Sequence, residues 1–224
     1  MSHYCRPDAI SDVVTLSVST PVPVMDIDAN TYNTVGIGSQ LWMAENLKTT
    51  KYRNGDLIGT TDPATLDIDA ETTPEYQWAA NGNESNVTVY GRLYTWYAAN
   101  DSRDVCPTGW HVPSDEDWTT LATYLGGGDV AGGKLKETGT THWVSPNLGA
   151  TNETGFTALP GGIRQDNIFI YFGDIAGFWW SSTTATEITT PPYAYYRSMG
   201  YSNSGLTKNA GTKHYGLSVR CIKD

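Results

Sequence analysis

Glycine and proline interrupt this sequence so often that short strands and turns are favoured over long helices. The 224 residues include 23 Gly and 11 Pro, which are the residues that most often end a regular element. Eight Trp and fourteen Tyr lie in the short segments between them, and charged residues make up only 17% of the chain. A disordered chain would have few aromatic residues and many charges. We therefore expect one folded α+β domain with a sizeable aromatic core.

The charge balance argues against two classes of partner. The formal net charge is −10, and the 14 Lys and Arg residues do not cluster, so the sequence predicts no binding to nucleic acid and little attraction to anionic lipid. No apolar run approaches the roughly 20 residues that span a bilayer, so no membrane insertion is expected. Residues 1–5 lack the basic and apolar stretches of a signal peptide, which does not by itself place the protein in the cytoplasm.

Residues 1–33 differ in composition from the rest and are predicted to form an N-terminal strand and a linker. Residues 11–20 are rich in β-branched residues and contain no aromatic residue, as in a strand. Prolines and an acidic stretch follow at 21–28, as in a linker. The strand could lie at a sheet edge or attach the chain to a preceding domain. Residues 34–224 are predicted to form the main domain.

One helix is clearly encoded between about Asp115 and Leu125. Ser114 is placed to cap it and Asp117 stands at the third helical position, as in a capping box. Its apolar stripe has the spacing i, i+3, i+4 and i+7 and consists of Trp118, Leu121, Ala122 and Leu125. The shorter helices predicted are 93–98 and 130–137.

The remaining structure is predicted to be β-sheet joined by loops. Residues 35–42 are typical of two strands joined by a turn, and the polar residues 62–86 are typical of a long surface loop. Short segments rich in aromatic and β-branched residues follow, separated by Gly, Pro and Asn. They are 156–159, 168–172, 178–182, 194–199 and 216–222. Their spacing predicts a compact antiparallel sheet.

The sequence shows no catalytic motif. It lacks the Gly-x-Ser-x-Gly elbow, the phosphate-binding loop, the dinucleotide fingerprint and the His-Glu-x-x-His zinc motif. His111 stands beside Trp110 in a short strand, where we expect a structural histidine rather than a general base. We therefore expect no enzyme activity and no catalytic residue. The alternative is an oxidase or hydrolase that uses His111, His142 and the acidic loops.

The cysteines Cys5, Cys106 and Cys221 are too far apart in sequence to form a zinc ribbon or finger. Cys106 and Cys221 could form a disulfide and leave Cys5 free. They could equally remain buried thiols, which behave as small hydrophobic residues. The sequence leaves both arrangements open.

An acidic segment near the N-terminus partly resembles a calcium-binding loop. Asp26, Asp28 and Asn30 have the spacing of the first half of an EF-hand. The sixth position is Thr31 rather than Gly and the twelfth is Ile37 rather than Glu, so the turn and the bidentate ligand are missing. Solvated acidic loops are the favoured interpretation. No metal site and no cofactor are therefore predicted, with calcium as the one alternative.

The segment 193–215 has the composition of a binding surface. Tyr, Ser, Gly and Asn make up 13 of its 23 residues, and five of these are Tyr. Antibody loops use the same residues because Tyr offers a large amphipathic contact area at low entropic cost, while Ser, Gly and Asn form adaptable hydrogen bonds. A buried strand would instead be rich in Val, Ile and Leu. An ordinary aromatic-rich sheet edge is the alternative.

Seven motifs occur in an order that resembles a known domain family. They are IGSQLWMAENLKTTKYRNGD (37–56), YGRLYTWYAA (90–99), CPTGWHVPSDEDWTTLATYLGG (106–127), AGGKLKETGT (131–140), GFTALPGGIR (155–164), GFWWSST (177–183) and GLSVRCIKD (216–224). The family is the Fibrobacter succinogenes major paralogous domain, and the resemblance covers about residues 35–224. It implies a C-type-lectin-like fold, with a small twisted antiparallel sheet, two helices and long loops.

The resemblance also implies where the protein acts and what it binds. Members occur on secreted or surface-attached bacterial proteins. Some resemble the variable proteins of diversity-generating retroelements in phage and gut bacteria, whose C-terminal face is rewritten by adenine-directed mutagenesis. We therefore expect an extracellular or surface-attached module that binds a protein or glycan on a cell surface. Calcium-dependent sugar binding is not expected, because the Glu-Pro-Asn, Gln-Pro-Asp and Trp-Asn-Asp triplets of sugar-binding C-type lectins are absent.

The diversifiable ligand-binding region is predicted at about residues 178–215. The residues expected to contact the ligand are Tyr193, Tyr195, Tyr196, Ser198, Tyr201, Ser202, Asn203, Ser204, Ala210, Gly211, Thr212, His214 and Tyr215. Arg197 is expected to point inward and to pair with an acidic side chain. The tryptophans expected in the core are Trp42, Trp96, Trp110, Trp118, Trp143, Trp179 and Trp180. The alternative function is a structural or tip module of a bacterial surface fibre, assembled through the strand at 11–20.

Overall fold

The computed structural model of the protein describes residues 22–188, 190 and 192–224. The strands in these residues, numbered β1 to β14, are Val24–Met25, Thr31–Tyr32, Thr34–Ile37, Gln40–Met43, Gln77–Ala79, Arg92–Tyr94, Trp110–His111, Gly161–Gln165, Ile168–Phe172, Ala176–Thr184, Tyr193–Gly200, Thr207–Thr212, Leu217–Ser218 and Ile222–Lys223. The α-helices, α1 to α4, are Val87–Tyr90, Trp96–Ala99, Asp115–Tyr124 and Gly128–Leu135. Single 3-10 turns at Ala80–Gly82 and Glu84–Asn86 precede α1. The predicted α+β class is confirmed.

The main sheet has the strand order β12-β11-β10-β13-β6-β5, with β8 pairing with β10 and β9 pairing with β8. The expectation of a small antiparallel sheet is correct only in part, because the described sheet has eight strands and β10 pairs in parallel with both β8 and β13. β9 lies between β8 and β10 in the chain, and β11 and β12 lie between β10 and β13. Neither pair is therefore joined by a single hairpin, which would make it antiparallel. The nine-residue strand β10 is therefore the centre of the sheet.

The second sheet joins distant parts of the main domain. Its order is β3-β4-β14-β7, so β14 lies between two strands from the first half of the chain. β3 and β4 form the hairpin predicted at 35–42. Beside this sheet a disulfide links Cys106 and Cys221, whose Cα atoms lie 6.0 Å apart. The pairing of these two cysteines is confirmed, and the free-thiol alternative is wrong.

Helix α3 begins and ends close to where the sequence predicts. The Ser114 hydroxyl accepts a hydrogen bond from the backbone N–H of Asp117, and the Asp117 carboxylate accepts one from the backbone N–H of Ser114, so the capping box is present. Trp118 packs against Trp42 and Phe156 in the core. The helix predicted at 130–137 is formed as α4. The helix predicted at 93–98 is only partly correct, because Leu93 and Tyr94 belong to strand β6 and the helix α2 begins at Trp96.

Buried tryptophans form the frame of both sheets. All seven that were predicted in the core are buried. Asn46 ties this frame to the C-terminal segment, because its Oδ1 accepts hydrogen bonds from Trp179 Nε1 and Arg220 Nη2, both at 2.8 Å. Its Nδ2 donates to the carbonyl of Tyr90 at 2.9 Å. Burial lowers the pKa of Arg220 to about 9. The cation therefore depends on its two hydrogen-bond acceptors, Asn46 Oδ1 and the Phe156 carbonyl.

The predicted surface loop at 62–86 is partly buried, which corrects the sequence analysis. Its last part forms β5, where Trp78 is only 1% exposed. The Arg164 guanidinium lies 4.1 Å from the centroid of a Trp78 ring and donates hydrogen bonds to the carbonyls of Ala64 and Leu66. This long-range contact holds the loop on the sheet, and it could not be predicted from the polar sequence of the loop.

The predicted strand at 156–159 is replaced by an irregular segment. Phe156 packs edge-on against Trp42 in the core, and Thr157 has a φ of +53°, so the backbone turns at this point. The segment predicted at 216–222 divides into β13 and β14, which belong to different sheets. Apolar composition alone therefore overestimates the length of strands in this part of the chain.

The segment before the main domain contains a folded hairpin. β1 and β2 pair with each other, and the buried Tyr32 donates a hydrogen bond to Asp26. The prediction of a linker is thus wrong for residues 24–32. The predicted strand at 11–20 and Cys5 lie outside the described residues. In the part of the chain that the structure describes, no helix has the length and apolar character needed to cross a bilayer.

Candidate ligand-binding surface

Strands β10, β11 and β12 carry most of the residues that were predicted to bind ligand. On the central strand β11, Tyr196 lies opposite Trp180 of β10 and Asn209 of β12. Neighbours along a strand point to opposite faces, so Arg197 shares the other face with Trp179. On one face Arg197 contacts Asp115 and Thr119 of α3. On the other face Phe178 contacts both Tyr196 and Tyr171 of β9.

On the face against α3 the side chains support the frame. Arg197 is 3% exposed, and its Nη1 forms an ion pair with Asp115 Oδ1 at 2.6 Å, as predicted. Lys208 Nζ contacts Asp115 Oδ2 at 2.8 Å and lies 3.6 Å from the centroid of the Tyr195 ring. Tyr195 donates a hydrogen bond to Glu187. The charged residues Glu187 and Lys208 therefore hold the Tyr195 ring in place.

The opposite face presents a row of aromatic rings, which we call the aromatic row and which consists of Tyr171, Phe178 and Tyr196. The Phe178 ring centroid lies 5.9 Å from that of Tyr171 and 6.0 Å from that of Tyr196. Tyr196 in turn lies 6.1 Å from the buried Trp180. Tyr171 is 50% exposed and the other two are half-buried. Tilted and edge-on contacts of this kind fix the rings while part of each stays accessible.

At one end of β11 and β12 the surface deepens into a cleft of about 340 Å³, which we call the strand-end cleft. Its lining residues are Asp69, Asp166, Tyr193, Thr212, His214 and Tyr215. Four of these six, Tyr193, Thr212, His214 and Tyr215, were predicted from the sequence. Ligand sites typically have volumes of about 300–1,000 Å³, so the cleft has room for a side chain or a small group of a ligand.

Hydrogen bonds of His214 fix one wall of the cleft. Its Nε2 lies 2.7 Å from the carbonyl oxygen of Glu71, and its Nδ1 lies 3.2 Å from Thr212 Oγ1. Because a carbonyl oxygen only accepts hydrogen bonds, Nε2 carries a proton and donates it. The His214 ring also meets the Tyr97 ring edge-on, with the centroids 5.9 Å apart. These contacts join the end of β12 to the loop that carries Asp69.

Tyr215 connects the cleft to the aromatic row. A Cβ added at Gly211 would lie 3.0 Å from a carbon of the Tyr196 ring and 3.0 Å from one of the Tyr215 ring, so the glycine lets both rings approach the strand. Burial raises the pKa of Tyr215, and the charge of Asp166 adds to this shift. Burial also raises the pKa of Tyr196. Both phenols are therefore protonated at neutral pH and can donate hydrogen bonds to a ligand.

The turn between β11 and β12 lies at the opposite end of these strands and supports the frame. Lys136 Nζ donates hydrogen bonds to the carbonyls of Leu148, Gly200 and Asn203, at 3.0, 2.9 and 2.8 Å. The Ser204 carbonyl accepts a hydrogen bond from the backbone N–H of Gly133 in α4. The predicted binding residues in this turn, away from the cleft, are Tyr201, Ser202, Asn203 and Ser204. The predicted segment 193–215 therefore contributes both to the strand-end cleft and, at the other end of the strands, to the turn that packs on α4.

The predicted tyrosines are neither sealed in the core nor fully exposed. All five rings, those of Tyr193, Tyr195, Tyr196, Tyr201 and Tyr215, are half-buried. Between the two ends of the strands, Ser198 accepts a hydrogen bond from Asn209 at 2.9 Å, and Ala210 lies opposite Tyr195. Half-burial of this kind anchors each ring and leaves an edge available for contact with a ligand.

The histidines of the enzyme alternative have separate partners. His111 Nδ1 lies 2.7 Å from Asp224 Oδ1, whereas His142 Nδ1 lies 2.9 Å from Glu137 Oε2. The two rings thus contact different carboxylates, and His111 Nε2 also lies 3.5 Å from Asp117 Oδ2. Within the described ranges, no group of three or more His, Cys, Asp or Glu side chains is placed to hold a metal ion.

Four residues of this surface were not among the predicted binding residues, namely Asp69, Asp166, Tyr171 and Phe178, although Phe178 lies within the predicted region 178–215. Asp166 and Asn167 form the turn between β8 and β9 with φ values of +45° and +69°, and an Asp-Asn pair between two apolar runs is a recognisable hairpin signal. That signal locates the turn but does not place it beside Tyr215. Asp69 belongs to the loop at 62–86, whose packing the sequence does not show.

Comparison with family models assigns the chain to a domain family. The family described as the Fibrobacter succinogenes major domain (Fib_succ_major) matches residues 35–223. The chain belongs to this family. The matched residues include α3, α4, the aromatic row and the whole strand-end cleft, so the candidate surface is part of the Fib_succ_major domain. The hairpin of β1 and β2 precedes the match. Comparisons with curated proteins and with solved structures gave no match.

Proposed function

We propose that this chain is a non-enzymatic ligand-binding module with a C-type-lectin-like fold, and that it binds through the strand-end cleft and the aromatic row. The observation that carries the proposal is that four residues selected for their binding-surface composition, Tyr193, Thr212, His214 and Tyr215, line one cleft. Half-buried tyrosines give a ligand a large contact area, and the polar side chains beside them orient it through hydrogen bonds. The ligand we propose is a protein or glycan on a cell surface.

The frame beneath this surface explains how its side chains could vary. Trp179 and Met199 are buried on the face opposite the aromatic row, and Trp180 is buried on the same face as Tyr196. Main-chain pairing of β10, β11 and β12 does not depend on the side chains that line the cleft. Substitutions at cleft residues therefore leave most of the packing in place. This arrangement supports the proposal that the surface is diversifiable, as in the variable protein of a diversity-generating retroelement.

The disulfide supports an extracellular or surface-attached location. Disulfides form and persist in oxidising compartments and are rare in reducing ones. The bond between Cys106 and Cys221 links the start of the α3 region to the last strand, so it belongs to the frame rather than to the binding surface. A secreted binding module benefits from such a link because it stabilises the frame independently of the ligand-contacting residues.

The proposal is tested with two matched libraries displayed on phage. The surface library varies Tyr193, Thr212, His214 and Tyr215, and the frame library varies Trp179, Met199, Leu206 and Leu217. We expect most surface variants to resist protease as the parent does, and most frame variants to be cleaved, because only the latter lose core packing. Selection on an immobilised protein, such as an antibody Fc fragment, should yield binders from the surface library.

Two results would contradict the proposal. Surface variants that lose protease resistance as often as frame variants would show that the cleft residues are part of the core. Folded surface variants that never yield a binder, while an antibody-loop library of equal size does so on the same target, would show that the surface does not support recognition.

A further inference from the structure

The strand-end cleft carries two acidic groups on two independent walls. Asp69 lies in the loop that precedes β5, and Asp166 lies in the turn between β8 and β9. Both residues are exposed. Among the residues that the structure describes, the ion pairs involve neither of them. The cleft therefore has carboxylate charge that the protein itself does not pair at close range.

Two cations, Lys213 and Arg164, lie close in sequence to lining residues, and the charge of Asp69 acts on Arg164. The close contacts of both cations are outside the cleft. Lys213 Nζ lies 3.5 Å from the centroid of a Trp96 ring and donates a hydrogen bond to Thr184 at 2.9 Å. Arg164 stacks on Trp78 and donates to main-chain carbonyls behind the loop of Asp69. Neither residue lines the cleft. The formal charges on the lining are thus the two carboxylates.

Aromatic rings complete the lining. The phenol rings of Tyr193 and Tyr215 belong to the same cleft as the carboxylates. A ring face attracts a cation, and the attraction grows when the cation is partly desolvated. A guanidinium fits such a site better than an ammonium, because its plane can stack on a ring while its N–H groups bind a carboxylate in pairs.

We propose that the strand-end cleft binds an arginine side chain presented by a protein ligand, which rests on the proposed function and assigns the chemical class of that ligand. The two carboxylates pair with the guanidinium, and the tyrosine rings cover its faces. The net charge of −10 favours encounter with a basic partner surface over an acidic one.

A calcium ion is the competing occupant that the carboxylates suggest. Calcium takes six to eight oxygen ligands, whereas the cleft offers two carboxylates on separate loops together with aromatic and imidazole groups. This donor set suits an organic cation better than a hard metal ion.

The test titrates the protein with two blocked tripeptide amides, Gly-Arg-Gly and Gly-citrulline-Gly, and follows backbone and Tyr resonances by NMR. Citrulline keeps the shape of arginine and removes its charge. We expect saturable shifts around Tyr193, His214 and Tyr215 with the arginine peptide, and affinity at least about tenfold lower with citrulline, which matches the loss of one cation–carboxylate contact. The double variant Asp69→Asn/Asp166→Asn should weaken arginine binding by a similar factor.

A charge-matched control separates the cleft from general electrostatics. Asp174→Asn removes an exposed carboxyl that does not line the cleft, and it should leave arginine binding unchanged within twofold. Equal affinity for the two peptides, no saturable binding at millimolar peptide, an unaffected double variant, or displacement of the arginine peptide by Ca²⁺ would each overturn the assignment. If the surface library still yields binders in those cases, the proposed function stands and only the arginine specificity is lost.

Discussion

At the scale of single residues, Asp26 and Asp28 show how tertiary contacts decide a role that the sequence leaves open. Their spacing partly resembles a calcium loop, but both carboxylates bind donors of the protein. Asp26 Oδ1 accepts hydrogen bonds from the backbone N–H groups of Asp28 and Asn30, at 2.9 Å each. Asp28 accepts hydrogen bonds from Thr50 and forms an ion pair with Lys51 at 2.8 Å. The acidic pattern therefore closes a turn and fastens it to the main domain.

The contacts of Asp28 predict a specific loss of stability in acid. Burial acts to raise its pKa, but Lys51 and the Thr50 and Thr49 donors outweigh this and lower it to about 2. A lowered pKa contributes stability above the unfolded value of about 3.8, and this stability is lost as the pH falls through 2. Between pH 4 and pH 2 the parent should lose about 2 kcal/mol more free energy of unfolding than Asp28→Asn.

Urea unfolding at a series of pH values measures this difference. Asp174→Asn, which removes an exposed carboxyl, serves as the control and should follow the parent. If Asp28→Asn and the parent lose stability in parallel below pH 4, the Lys51 and Thr50 contacts do not stabilise the fold.

At the scale of elements, the glycines of α4 explain why the turn between β11 and β12 belongs to the frame. A Cβ added at Gly132 would lie 2.0 Å from the carbonyl oxygen of Gly205, so only glycine allows the turn to contact the helix this closely. Lys136 in the same region donates hydrogen bonds to the carbonyls of Gly200 and Asn203 at this turn. A Ser-, Asn- and Gly-rich turn can thus be structural even though its composition is that of a binding loop.

Two alanine substitutions in α4 test this close contact. Gly132→Ala should lower the free energy of unfolding by about 3 kcal/mol, because the turn must move away from the helix. Gly128→Ala is the matched control, since its Cβ would lie 3.5 Å from the Leu206 carbonyl, an ordinary contact. It should change stability by less than about 1 kcal/mol, in the stabilising direction. Chemical denaturation measures both, and equal losses would show that the helix and the turn are not in close contact.

At the scale of the whole molecule, the last eight residues join the two sheets. β13 pairs with β10 and β6 in the main sheet, and β14 pairs with β4 and β7 in the second sheet. Cys221 lies between β13 and β14 and is bonded to Cys106, 115 residues earlier. The C-terminal segment is therefore a structural link, and the surface proposed to bind ligand lies just before it in the chain.

The contribution of the disulfide to stability can be predicted from the length of the loop that it closes. A cross-link over about 100 residues stabilises by about 4–5 kcal/mol in the loop-entropy treatment. The double variant Cys106→Ala/Cys221→Ala should therefore lose about that amount of unfolding free energy. Reduction of the parent with dithiothreitol should have the same effect, and the reductant should leave the double variant unchanged. A parent that is insensitive to reduction would contradict the prediction.

Local periodicity and residue type were enough to predict several elements. The Ser114 capping box, the apolar stripe at Trp118 and the hairpin at 35–42 depend on neighbours within a few residues, so the sequence by itself determined them. The buried tryptophans follow from residue type, because large aromatic side chains gain most from burial. The composition of 193–215 led to the proposal of a binding surface, and this segment contains four of the six residues that line the cleft.

Only the tertiary structure decided which of those residues act together. Tyr215 and His214 share a cleft with Asp69 and Asp166 because two loops from distant parts of the chain close over the ends of β11 and β12, while the turn around Ser204 docks on α4 at the other end. Strand register and loop docking arise from contacts between residues far apart in sequence. Composition measures what a segment contains, whereas these contacts determine what it faces.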